Sequence, residues 1–185
     1  PTDVRQRMVR DLIAYMDWSG VAYVKEGATE PMLWVDGDDG VDGVDGAFAI
    51  VRYLGRLWRL HPVSPEGALL VDSTLEMLDS YVCAFADGPV RDASEHAHDL
   101  VRDLCERLHE DDYLEGFMHP TVADVCAVSL LHHALEQNDV DVLYDPETQQ
   151  NFHAWWTRMT RSDSAADVDE SLSLIHISEP TRRRT

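Results

Sequence analysis

Five histidines lie in stretches with helical periodicity and are the first candidates for metal binding: His96, His98, His109, His132 and His133. Adjacent residues on a helix point about 100° apart, so His132 and His133 cannot easily bind one ion. Residues two apart, such as His96 and His98, do not face each other either. The spacing therefore favours partly exposed helical histidines, and we predict no metal site.

An acidic, glycine-rich loop at residues 36–46 is the second candidate, because carboxylates are calcium ligands. An EF-hand loop needs oxygen ligands at its third and fifth positions and Glu at its twelfth. Counted from Asp36, the fifth position is Gly40; counted from Asp38, the third is Gly40 and the twelfth is Ala49. Both registers fail, and the loop is predicted to be a solvated hairpin that joins two strands.

The cysteines, Cys83, Cys105 and Cys126, are far apart and form no C-x-x-C motif. This pattern argues against a disulfide framework or a zinc site and favours a reducing compartment, so we expect a cytoplasmic protein. No apolar run reaches the length needed to cross a membrane, and we expect no membrane partner.

The chain is strongly acidic, with a formal net charge of -20 and Lys25 as its only lysine. Residues 61–171 contain 24 acidic and 5 basic residues, so this part carries nearly all of the excess. Such a surface repels phosphates, and we expect no nucleic acid partner. Two explanations of the charge stay open: a saline habitat, where salt screens self-repulsion, and a lineage that favours Asp and Arg.

Residues 121–137 are apolar around most of a helix's circumference, which predicts a central helix that other helices pack onto. Thr121 can cap its first N–H groups through the hydroxyl, and Asp124 can reach back to complete a short capping box. Pro120 resists continuation of any preceding helix. These features predict a structural role and do not require catalysis.

The other elements follow from apolar periodicity. Residues 21–24 are a strand candidate, and further helices are predicted at 3–18, from Asp45-Gly46 through Leu57, at 65–85, at 92–109 and from Asp145-Pro146. In the helix at 65–85, capped by Ser64, we predict five inward-facing side chains: Leu70, Met77, Leu78, Val82 and Phe85.

Two separated segments resemble the cytosolic glutathione transferase superfamily. Residues 113–125, YLEGFMHPTVADV, resemble the Tyr-Leu-x-Gly and Ser/Thr-x-Ala-Asp signature of its helical C-terminal domain. Residues 45–54, DGAFAIVRYL, are similar to the Glu-Ser-x-Ala-Ile-x-x-Tyr-Leu segment that closes its thioredoxin-like domain. The last helix fits the family's Asn-x-x-x-Trp pattern at Asn151 and Trp155.

The resemblance implies a fold between α+β and all-α. Residues 1–60 would form an incomplete thioredoxin-like α/β domain without its first strand, and residues 68–161 an all-helical bundle of the glutathione transferase C-terminal type, with an inter-domain linker at 61–67. A homodimer is compatible with this fold.

The resemblance also assigns four residues to glutathione binding: Pro31, Met32, Asp45 and Gly46. A cis-Pro31 would free the backbone of Met32 to pair with the cysteinyl part of glutathione; the alternative is a trans-proline that begins an edge strand. Asp45 and the N–H of Gly46, at a helix start, would bind the γ-glutamyl end, although Gly46 lacks the family's hydroxyl. The alternative for Asp45 is a helix N-cap.

A glutathione transferase would conjugate the glutathione thiolate to an electrophile held against the helical domain, so its partners would be a small-molecule thiol and an electrophile. In the family the catalytic Tyr, Ser or Cys precedes the first helix, in a stretch that we expect to be missing here. Thr2 lies nearest to that place, but a helix cap or a frayed terminus explains it better. The catalytic residue and the electrophile are therefore unassigned.

The competing function is a non-catalytic docking domain, similar to the transferase-like domains of aminoacyl-tRNA synthetases and elongation factor 1 gamma. The compact helix pair before the central helix resembles these domains, and the missing hydroxyl at Gly46 agrees with a lost glutathione site. The acidic helical surface would then suit a basic protein partner.

The end of the sequence is not expected to belong to the fold. Residues 162–171 are polar and acidic and are predicted to be a linker. Residues 172–182, LSLIHISEPTR, resemble a translated adapter from the preparation of sequencing libraries. Residues 172–185 are therefore expected to be an assembly artefact that does not belong to the fold.

Overall fold

The computed structural model describes residues 3–16, 22–24, 32–35, 44–87, 93–108, 113–137 and 149–161. The predictions for Thr2, Pro31, His109, most of the acidic loop and residues 162–185 concern residues outside these ranges.

The first helix, α1, runs over Val4–Tyr15. Asp3 caps it, since the Asp3 carboxylate accepts a hydrogen bond from the backbone N–H of Arg5 at 2.8 Å. The buried side chains follow the three- and four-residue spacing of an amphipathic helix. They are Val4, Met8, Val9 and Leu12.

Three short strands follow α1: β1 (Ala22–Val24), β2 (Met32–Val35) and β3 (Val44–Asp45). They form one antiparallel sheet in chain order. β2 ends just before the acidic loop, and β3, which lies at the end of that loop, pairs with β2; this pairing agrees with the predicted hairpin. This small sheet does not by itself show a thioredoxin-like domain.

The helix α2 runs over Ala47–Leu57 and packs closely against the central helix of the C-terminal half. Gly55 lies at the contact, where an added Cβ would come within 3.0 Å of the Val122 side chain. The backbones of the two helices approach this closely because residue 55 has no side chain.

Two helices follow, α3 (Pro65–Asp87) and α4 (Ala93–Arg107). The Ser64 hydroxyl accepts a hydrogen bond from the N–H of Gly67 at 3.1 Å, which confirms the predicted cap. Since α3 begins at Pro65, its first turn takes up part of the segment predicted as a linker.

One inward-facing assignment in α3 was wrong. Leu70 is 42% exposed, whereas Val71 and Leu75 are fully buried. The buried stripe of α3 therefore consists of Val71, Leu75, Leu78 and Val82, which keep the three- and four-residue spacing. Leu70 lies about 100° away from Val71 on the helix.

A short 3-10 helix, Leu114–Gly116, precedes the central helix α5 (Val122–Gln137). Every other α-helix described here contacts α5. Its residues from Val122 to Ala127 are all buried, as are Leu130, Leu131 and Ala134. The prediction of a central helix surrounded by others is confirmed.

The last helix, α6, runs over Gln150–Thr160 and buries Phe152 and Trp155. Gln149 has non-helical backbone angles and forms the N-cap of this helix. The predicted start at Asp145-Pro146 lies outside the described residues.

The described part of the chain is mostly helical, and α3 to α6 form an all-helical bundle. The buried apolar side chains of α1 and α2 belong to the same cluster as those of this bundle. Burial of this apolar cluster away from water is the main favourable contribution to the fold.

Candidate functional site

The predicted glutathione-binding residues meet where β3 leads into α2. Met32 and Asp45 are cross-strand partners in the antiparallel pair of β2 and β3. Gly46 follows Asp45 directly and is the N-cap residue of α2. The structure thus brings these three residues to one end of the sheet, whereas Pro31 lies outside the described residues.

The N-terminus of α2 has no side-chain hydrogen bond from its N-cap residue. Gly46 occupies this position, so the alternative interpretation of Asp45 as the N-cap was wrong. The first N–H groups of a helix have no partner within the helix, and they carry the positive end of its dipole. Such an end is suited to bind a carboxylate.

Gly46 has a structural role that the sequence did not predict, and its backbone angles show it. Its backbone angles are φ 87° and ψ 131°, a conformation that residues with a side chain rarely adopt. An added Cβ would meet no atom within 4 Å, so the restriction comes from the backbone and not from crowding. The glycine is therefore required by the turn into α2, in addition to removing the hydroxyl.

Asp124 holds together three parts of the C-terminal half and is fully buried. Its Oδ1 accepts hydrogen bonds from the backbone N–H of Leu114 at 3.0 Å and from the indole N–H of Trp155 at 2.8 Å. Its Oδ2 accepts from the backbone N–H and the hydroxyl of Thr121, at 2.7 and 2.8 Å. Burial raises the pKa of Asp124, although these hydrogen bonds oppose the rise.

Thr121 and Asp124 interact, but not entirely as the sequence predicted. The carboxylate does reach back to the backbone N–H of Thr121, as in a capping box. The Thr121 hydroxyl, however, donates to Asp124 and was wrongly expected to accept from the helix N-terminus. Leu114 and Trp155 were not identified as partners of Asp124, although both lie in segments that the resemblance had marked.

A second polar cluster lies beside the 3-10 helix. Arg107 pairs with Glu115, and its guanidinium also donates to the hydroxyl of Thr74 at 3.1 Å. That hydroxyl is 2.5 Å from Oε1 of Glu115, to which it can donate. Glu115 has a φ of 61°, in the left-handed region, and these contacts hold it there. The cluster connects α3, α4 and the 3-10 helix.

A third cluster links α2 to α3. Nε of Arg52 donates to Oδ1 of Asp72 at 2.7 Å, and Nε2 of the buried His61 lies 3.4 Å from the same oxygen. Partial burial would raise the pKa of Asp72, but the hydrogen bonds from Arg52 and His61 outweigh it and lower the pKa. Sequence reasoning gave no signal for this cluster, since its members come from three separate segments.

The remaining candidates for chemistry do not converge. Cys83 is exposed, Cys105 is half-buried, and Cys126 is buried, which raises the pKa of its thiol. His132 and His133 are half-buried on α5, as predicted for helical histidines. Among the residues with described positions, no group of three or more His, Cys, Asp or Glu side chains could hold a metal ion.

Within the described ranges, no helix has both the length and the apolarity needed to cross a bilayer. In comparisons with known proteins, no protein-family model matches the chain and no curated protein sequence matches it.

Proposed function

We propose that this chain is a glutathione transferase-like protein that binds glutathione at the junction of β3 and α2. The observation that carries the proposal is the register of β2 and β3, in which Met32 lies opposite Asp45 and next to the start of α2. Residues assigned from separate sequence segments are thereby neighbours, as one ligand site requires.

Each part of this junction has a chemical role in the proposal. The carboxylate of Asp45 would pair with the ammonium of the γ-glutamyl group, and the N–H groups at the start of α2 would bind its carboxylate. The backbone of Met32 would pair with the cysteinyl part as an added strand does. The thiolate sulfur would then form a bond to an electrophilic carbon while the leaving group departs with its electron pair.

The geometry around Asp124 supports the family resemblance on which this proposal rests. The Thr-x-Ala-Asp segment provides Asp124, the Tyr-Leu-x-Gly segment provides Leu114, and the Asn-x-x-x-Trp pattern provides Trp155. All the C-terminal motifs thus meet at one buried carboxylate, and their hydrogen bonds to it explain why they occur together in one fold. The proposal includes a thioredoxin-like domain in the N-terminal part and a cytoplasmic location.

The test is isothermal titration of glutathione into the 185-residue chain, with Asp45→Ala and the matched control Asp79→Ala, whose carboxylate is exposed on α3. We expect saturable binding that Asp45→Ala abolishes and Asp79→Ala retains, because only Asp45 lies at the junction. A flat titration from wild-type protein with a helical circular dichroism spectrum would refute the proposal.

A docking domain without catalysis is the second candidate, and the positive φ of Gly46 favours it. This backbone disfavours the hydroxyl-bearing residue that the glutathione site of the family uses. A flat glutathione titration, followed by capture of a basic protein that high salt releases, would support docking on the acidic surface.

The proposal also includes a homodimer. Large apolar side chains are exposed on α2, on α3 and between them, and apolar exposure of this kind is common at interfaces. They are Tyr53, Leu57, Val63, Leu69 and Leu70. Light scattering after gel filtration would detect the dimer, and Leu69→Asp should shift it toward monomer.

A further inference from the structure

A cleft of about 510 Å³ lies between α1, α5 and α6, and no residue of the junction between β3 and α2 lines it. One stripe of α1 and one stripe of α5 face each other across it, and Met159 of α6 contributes to its lining. The residues from α1 are Arg7, Asp11, Ala14 and Tyr15, and those from α5 are Val125, Val128, Ser129 and His132. The volume lies within the range of small-molecule sites.

The polar part of the cleft is built from both stripes. The buried Ser129 donates its hydroxyl to Oδ2 of Asp11 across the α1–α5 contact. Nε of Arg7 lies 3.6 Å from the same oxygen. Both contacts use Oδ2, so within the described residues Oδ1 of Asp11 is the carboxylate oxygen that remains for a ligand.

The rest of the lining suits an apolar and preferably aromatic body. Val125 and Val128 contribute aliphatic surface, and the thioether of Met159 packs favourably against rings. The ring of His132 is already held against Trp156, with centroids 5.0 Å apart, which fixes its position in the wall. The lining therefore combines an apolar part with polar side chains at one place, and such a combination can orient an amphipathic ligand.

The charge of Asp11 and of the whole chain determines which polar group a ligand of this cleft should carry. Asp11 is 41% exposed at its side chain, so it can be reached from the cleft, while the nearby Arg7 already engages it. The net charge of -20 raises the local concentration of cations and lowers that of anions around the whole molecule. An ammonium group is a charged donor that can bind the second carboxylate oxygen, and the overall negative charge favours it despite the neighbouring Arg7.

We propose that the cleft between α1 and α5 binds small aromatic amines, with the ammonium group on Oδ1 of Asp11 and the ring against Val125, Val128 and Met159. This site is independent of the proposed glutathione site, since the two share no residue. It would hold the amine noncovalently, and no reaction is assigned to it.

The test compares three ligands of one shape, naphthylethylamine, naphthylethanol and naphthylpropionate, by amide chemical-shift titration of the full chain. The amine should bind, the alcohol should bind about tenfold more weakly, and the acid should show no saturable binding, because the Asp11 carboxylate binds a charged donor more strongly than a neutral one and repels an anion. The shifts should centre on Ser129 and His132.

Two variants and one control locate the site. Asp11→Asn keeps an acceptor for Ser129 but removes the charge, and should weaken amine binding about tenfold. Ala14→Phe places a ring in the cleft from an exposed helix position and should abolish binding. Glu106→Gln, an exposed acid on α4, should change nothing. Wild-type affinity in either cleft variant, or equal binding of the acid, would overturn the proposal.

Discussion

Asp124→Asn is the substitution that most directly examines how the C-terminal half is held together. The Asp124 carboxylate accepts every one of its hydrogen bonds. The donors are the backbone N–H groups of Leu114 and Thr121, the Thr121 hydroxyl and the indole N–H of Trp155. Asparagine has the same shape but replaces one acceptor oxygen with an NH₂ donor. Two donors would then face each other inside the protein.

The expected loss of stability follows from the geometry. If the amide oxygen takes the place of Oδ1, the bonds from Leu114 and Trp155 survive as weaker neutral ones. The hydroxyl of Thr121 can rotate to accept from the amide, but its backbone N–H cannot and is left unsatisfied. Loss of a charged hydrogen bond together with a buried unsatisfied donor costs about 3 kcal/mol. Burial disfavours the charged form of Asp124 and so raises its pKa. Since asparagine carries no charge, the substitution removes this penalty and offsets part of the cost.

Urea unfolding followed by far-ultraviolet circular dichroism measures the effect. The matched control is Glu106→Gln, which makes the same carboxylate-to-amide change at an exposed position and should alter the free energy of unfolding by less than about 0.5 kcal/mol. If Asp124→Asn also stays within that limit, the argument that Asp124 holds the three segments together is refuted.

Three further predictions concern the backbone, the thiols and the acid stability. Gly46→Ala should lower the free energy of unfolding by about 1–3 kcal/mol, because a φ of 87° with a ψ of 131° is strained for a residue with a Cβ; an unchanged urea midpoint would contradict this. With a thiol reagent on the native protein, the exposed Cys83 should react first and the buried Cys126 only after unfolding, which absorbance kinetics would follow. The pKa of Asp72 is lower in the folded state than in the unfolded chain, so its contribution is complete above about pH 4 and fades as the pH falls through the folded value. Asp72→Asn should therefore flatten the acid side of the stability profile, and an unchanged profile in urea titrations would contradict the assignment.

The helices could be predicted from the sequence because their apolar spacing is regular. The central helix was identified from its apolar circumference, and the start of α3 from Ser64 and Pro65. Leu70 was misplaced because it is apolar and close to the buried stripe, and only the packing of α3 decides which of two adjacent apolar residues faces inward.

The sites were harder to predict because they depend on distances across the fold. The resemblance could name Met32 and Asp45, but their pairing required the register of the hairpin. The positive φ of Gly46 is a property of the turn and not of the residue type. The contact between Asp11 and Ser129 has no signal in either local segment, since each residue is a common helix-surface type.

The position of α1 on α5 has a consequence for synthesis of the chain. The hydrogen bond from Ser129 to Asp11 joins residues 118 positions apart, so the surface that covers α1 is made long after α1 itself. At about 5–20 residues per second, the apolar side of α1 waits roughly 6–24 s for its partner helix. During that interval α1 can pack only on elements made earlier, such as α2 and α3, so the part of its apolar side that α5 covers is available to other chains or to chaperones.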